Sequence, residues 1–246
     1  DKTTRPDGST LDWDLSDHHI LSIPTGRPGD KFGTAMTATK DLSLIAVNAP
    51  GYEDVDYIQD LEPSASLGQT WYDTINNVTK RYSVVEKVAV NGIDTFLTND
   101  WQQTEINMGA VYVFSLDSNN EYQLLQTISS ATFNEIDSGD GFGYSLDMSD
   151  NGTTLIITAP YDDSNTENSG AVYYFKKTGA DSSQDLYTYQ QTIFSPLKAV
   201  QEEFGAKVSV NEDGTGFAVW SQHGQNKSTT TFDKFTLLED SSLGET

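Results

Sequence analysis

The sequence predicts an all-β fold built from repeated sheets of about four short strands, and three observations support that expectation. A twenty-residue skeleton occurs as KFGTAMTATKDLSLIAVNAP at 31–50, GFGYSLDMSDNGTTLIITAP at 141–160 and EFGAKVSVNEDGTGFAVWSQ at 203–222. After each Phe-Gly pair, Ala49, Ala159 and Ser221 follow at one common interval, so the hairpin between keeps its length. A second block, Gly109-Ala110-Val111-Tyr112-Val113-Phe114, returns as Gly170-Ala171-Val172-Tyr173-Tyr174-Phe175 and more faintly as TTFDKF at 230–235.

Each element of the repeat has a local reason. Phe142, Tyr144, Leu146 and Met148 alternate with Gly143, Ser145 and Asp147, the period-two pattern of a strand with one apolar face. Asp150-Asn151-Gly152 supplies residues that tolerate the positive φ of a tight hairpin. Leu155-Ile156-Ile157 is apolar without alternation, so its strand should be covered on both faces. Glycine and alanine at the head of the third strand permit close approach to a neighbouring sheet. YQLLQTI at 122–128 and YTYQQTI at 187–193 read as fourth strands. HHILSIP at 18–24 reads as the same strand type placed ahead of the first copy, while the last copy lacks its fourth strand.

Four-stranded sheets repeated along a chain point to a β-propeller or a related array; a β-sandwich is the alternative. Phe-Gly, then Asn-Ala-Pro or Thr-Ala-Pro, then Gly-Ala-Val-Tyr-Tyr-Phe resembles the FG-GAP repeat of integrin α-subunit propellers and many surface proteins. The resemblance is good in the second copy, fair in the first and degraded in the third, where Trp220-Ser221-Gln222 replaces the Gly-Ala-Pro element. It implies propeller blades and a location outside the cytoplasm. About three blades are present, whereas closed propellers have four to eight. The expected domain is therefore 1–246 as one propeller-like repeat array, partial or completed by other copies or other chains, with an insertion at 51–108.

Charge and composition bound the function. The 246 residues carry 14 basic and 37 acidic side chains, a net charge of −23. Such a field repels nucleic acid and anionic lipid. No cysteine occurs, which excludes disulfides and thiolate chemistry. No apolar run approaches the ~18 residues of a membrane span, so membrane insertion is not expected. Opening on Asp1, the sequence reads as a processed product or a segment. His18 and His19 point to opposite faces of a strand and cannot share a ligand. With His223 they are the only imidazoles, and no motif nominates a nucleophile, so no enzyme activity is expected.

The insertion contains Asn91-Gly92 between two apolar runs, a hairpin signal, and an aromatic set of Trp71, Tyr72, Tyr82 and Trp101. By resemblance, loops joining second and third strands lie on the ligand-facing side. That nominates Tyr52, Trp71, Tyr72, Trp101, Tyr161, Asp162 and Asp163 as partner-binding residues. Covering a blade edge or packing on a neighbouring subunit is the equal alternative for the insertion. The resemblance also implies calcium between first and second strands, at Asp147, Asn151 and Asp213; Leu155 and Phe217 replace a ligand there, which favours plain hairpin turns. Asn77, Asn151 and Asn226 begin N-glycosylation sequons. The expected function is a non-catalytic structural or adhesion module at a cell surface, filament or virion, contacting other proteins or copies of itself. The alternatives are a glycan or small-ligand binding module and a non-catalytic domain of a secreted hydrolase.

Overall fold

In the computed structural model, residues 19–23, 26, 29–52, 108–129, 137, 139–177 and 186–222 are described with their side chains. Elsewhere strand backbones alone are described, with the side chains of Asp233 and Lys234. The three copies fold into three separate antiparallel sheets. The first has strand order Met36–Ala38, Leu44–Ala49, Ala110–Leu116, Tyr122–Ser129. The second repeats it with Leu146–Met148, Thr154–Ala159, Ala171–Lys177 and Tyr187–Phe194. The third has three strands, Phe204–Val210, Gly216–Gln222 and Thr230–Thr236. The faint TTFDKF match is thus a true third strand, with Ser221 paired to Thr231 as Ala159 is to Ala171.

Sheet stacking follows from the apolar second and third strands. Leu44, Ala46, Val111 and Val113 of the first sheet pack on Leu155, Ile157, Tyr173 and Phe175 of the second. The opposite face of the second sheet, Ile156, Val172 and Tyr174, packs on Phe204, Phe217 and Val219 of the third. Leu155, Ile156 and Ile157 are all fully buried, as a two-faced strand requires. Face-to-face packing at about 10 Å per layer buries these rows at ~25 cal/mol per Å2 of apolar area removed from water.

Polar groups fix the stacking order. The Asn48 side-chain amide donates to the Gly143 carbonyl at 2.7 Å across the first junction. Thr37 Oγ1 donates to Asp147 Oδ1 at 2.9 Å, and the Val210 N–H donates to Asp147 Oδ2 at 2.7 Å across the second. Hairpin tips are linked too, with Lys40 N–H on the Asp150 carbonyl and Asp150 N–H on the Glu212 carbonyl, each 3.1 Å. Gly109 and Gly170, both in the left-handed region at φ 82° and 83°, lie directly under the Phe142 and Phe204 carbonyls. The Gly-Ala-Val element of one copy is therefore the seat for the Phe-Gly element of the next.

Two expectations change. Phe142 does not open a regular strand: pairing begins at Leu146, because Gly141 and Gly143 turn the backbone with φ 72° and 83°. Tyr144 leaves the apolar face and is 41% exposed, while Phe142, Leu146 and Met148 stay buried. The described part of 18–24, residues 19–23, pairs in no sheet. Its Leu21 and Ile23 pack on the outer face of the first sheet, among Ile45, Val47, Tyr112 and Phe114.

The insertion contributes strands of its own. Lys87–Val90 and Ile93–Phe96 pair antiparallel, with Val90 opposite Ile93, while Asn91-Gly92 lie outside the described residues. Tyr57–Gln59, Thr70–Asp73, Val78–Val84 and Asn99–Gln103 make a four-stranded sheet in which only Tyr57–Gln59 and Thr70–Asp73 run parallel. Its ends meet: the Gly109 N–H donates to the Tyr52 carbonyl at 2.9 Å.

Candidate functional site

At the Phe-Gly end of the stack the turned backbones leave a cleft of about 530 Å3. Lys31, Thr34, Pro50, Gly139, Gly141, Tyr144, Tyr161 and Lys207 line it, so all three copies contribute. Thr34 and Tyr144 hold the same place in their repeats, two residues after the phenylalanine. Tyr144 and Tyr161 meet edge to face with centroids 5.8 Å apart. Burial holds the Tyr161 hydroxyl above its usual range, with Tyr144 and Glu203 adding to the effect. A neighbouring depression of about 340 Å3 joins Tyr144, Ala206 and Lys207 to Trp220 and Gln222. Two exposed aromatics and two lysines thus share one surface on a chain of net charge −23.

Acids beneath this rim hold the loops. Asp30, Asp140 and Glu202 each stand two residues before the phenylalanine, and each is buried. Asp140 Oδ2 accepts the Asp137 N–H at 2.9 Å, and Glu202 Oε2 accepts the Ala199 N–H at 3.1 Å, the same loop closure in two copies. Desolvation pushes Asp140 up to about 7; the Asp137 N–H opposes this, and the Asp162, Asp137 and Asp163 carboxylates reinforce it. Its folded pKa lies above the unfolded value near 3.9. Asp140 therefore contributes most to stability below about pH 4, and that contribution is lost as pH rises to about 7. Asp140→Asn retains an acceptor for Asp137 and should flatten this fall, gaining at most about 4 kcal/mol over the parent at pH 8. Thermal unfolding of both proteins from pH 4 to 8 reads the difference; parallel curves would count against it.

Of the nominated residues that are described, Tyr161 alone lines the cleft. Asp162 is not a surface residue: it is fully buried and its carboxylate accepts Tyr173 Oη at 2.6 Å and the Ser164 N–H at 2.8 Å. Asp163 closes the same loop by accepting the Asn168 N–H at 2.6 Å. Tyr52 is half-buried against Tyr112, centroids 6.4 Å apart, as cover for the first sheet. The side chains of Trp71, Tyr72 and Trp101 lie outside the described residues, as do Asn77 and Asn226.

The residues considered for calcium have other partners. Asp147 bridges the sheets as described, while Asn151 Oδ1 accepts the Thr153 N–H and Asp213 Oδ1 the Thr215 N–H, both at 3.0 Å. Asp41 accepts the Ser43 N–H in the first copy at 3.0 Å, so this place in the repeat is an Asx turn each time. No group of three metal-ligating side chains occurs among the described residues. Tyr144, Lys31, Lys207 and Trp220 were not nominated from sequence. The departure of the third copy at Trp220 was their one visible signal.

Residues 131–175 match the family described as FG-GAP repeat. The chain carries an FG-GAP repeat. Among curated proteins none matches it. In this FG-GAP repeat the Phe-Gly turn shapes the cleft, and the Gly-Ala-Val strand seats the following sheet. No helix among the described residues is long and apolar enough to cross a membrane.

Proposed function

We propose that the chain is a non-catalytic, extracellular interaction module that binds other proteins through the Phe-Gly end of its stacked sheets. The cleft carries the reading: Tyr144 and Tyr161 offer rigid amphipathic area beside Lys31 and Lys207, and tyrosine is among the residues that dominate protein contact energies. A partner surface with acidic and apolar groups fits this lining. FG-GAP repeats in surface proteins support the location and the interaction role.

Affinity capture with the intact chain, set beside Tyr144→Ala and Lys207→Glu, tests it. Partner binding should weaken at least tenfold in each variant, about 1.4 kcal/mol or more, with unfolding midpoints unchanged. Equal capture by all three proteins would overturn the reading. The insertion has its own test, since its ends are pinned at Tyr52 and Gly109. Replacing 53–107 by a short linker should leave the three sheets folded and binding through the cleft intact, because none of the cleft's described lining residues lies within it. Loss of cooperative unfolding would instead make the insertion part of the core.

A further inference from the structure

The segment 19–23 is half-covered. His19, Leu21 and Ile23 are partly buried, whereas Ile20 and Ser22 are exposed, Ile20 to 86%. That is the period-two burial of a strand, yet the segment pairs in no sheet. Its place matches that of the fourth strands. Ile128, near the end of the first sheet's fourth strand, packs beneath the second sheet with Phe142. Ile193, in the second sheet's fourth strand, packs beneath the third with Phe204. Leu21 and Ile23 pack beneath the first sheet in the same manner. Those two fourth strands are covered on both faces at their ends, Ile128 with Ser129 and Ile193 with Phe194. The segment 19–23 has one face covered and an isoleucine on the other.

The third sheet shows the complementary gap. Among the described residues, Thr230–Thr236 is an edge where the other two sheets carry a fourth strand. On that edge Asp233 keeps a buried carboxylate oxygen, Oδ2, with no hydrogen-bond partner. Beside it the sheet's outer face holds an apolar groove of about 270 Å3 lined by Lys207, Ser209, Ala218 and the 47%-exposed Trp220. Transferring the second sheet's register, where Val172 faces Ile193 and Tyr173 faces Thr192, sets Ile23 opposite Phe232 and Ser22 opposite Asp233. Ser22 then lies across the edge from Asp233, and Ile20 turns toward the junction of second and third sheets.

We propose that the segment 19–23 of one copy is the fourth strand of the third sheet of a second copy. Within one chain the two lie on opposite sides of the three-sheet stack, separated by roughly 20 Å or more at about 10 Å per layer. A second copy removes that obstacle. The contact is head-to-tail, so copies either close a ring or extend as an open array. Open strand edges drive such pairing.

Sedimentation of the 246-residue chain tests the proposal together with engineered cross-linking, which is clean because the sequence has no cysteine. The chain should associate reversibly at micromolar concentration, and Ile20→Asp should weaken association at least tenfold while leaving the monomer's thermal midpoint unmoved. Ser22→Cys and Asp233→Cys together should give an intermolecular disulfide on mild oxidation, and neither alone should. A chain that stays monomeric to about 100 µM, an Ile20→Asp variant that assembles like the parent, or association without the cross-link would each overturn it.

Discussion

Gly170→Ala should lose about 3–5 kcal/mol of unfolding free energy in urea, against about 1–2 for Gly33→Ala. The two glycines have nearly the same backbone, φ 83° and 86°, so left-handed strain is matched between them. Their surroundings differ. A methyl group on Gly170 would sit 2.2 Å from the Phe204 carbonyl oxygen and 2.7 Å from its nitrogen, both backbone atoms. Gly33 has nothing within 4 Å. Relief at Gly170 requires the second and third sheets to part, which opens the cluster of Ile156, Val172, Phe204 and Phe217. The difference between the variants is therefore the stacking contribution of one seat. Equal losses would show that the sheets slide past one another freely.

Glu202→Ala should cost a further class of energy, about 3–5 kcal/mol, and Glu202→Gln about 1–2. The carboxylate is fully buried and accepts Ser195 Oγ at 2.5 Å, the Ala199 N–H at 3.1 Å and Ser221 Oγ at 3.4 Å. Alanine removes the common acceptor and leaves three donors in a dry pocket. Glutamine keeps one acceptor oxygen and the volume. Urea unfolding of the pair reads the ordering, and an alanine variant within 1 kcal/mol of the parent would mean that water enters freely.

The acid before each Phe-Gly is as visible in the sequence as the Phe-Gly itself, yet nothing in the sequence marks it as buried. So acidic a chain gives one carboxylate no distinction until burial is known. Asp162, nominated with Asp163 for partner contact, has its carboxylate drawn inward by Tyr173 and Ser164. Tyr144 followed the alternation of its neighbours on paper and left it in space, because two left-handed glycines flank Phe142.

By itself the sequence determined the sheets: the strands, their hairpins, the Gly-Ala-Val seats and the weak third copy. These depend on short-range periodicity and turn stereochemistry, which a linear pattern records. Tertiary structure alone decided which acids are buried, which aromatics share the cleft, and that the segment 19–23 lies on the first sheet without pairing. Those outcomes depend on what a neighbouring layer covers, and coverage couples residues too far apart in the chain for any local pattern to carry it.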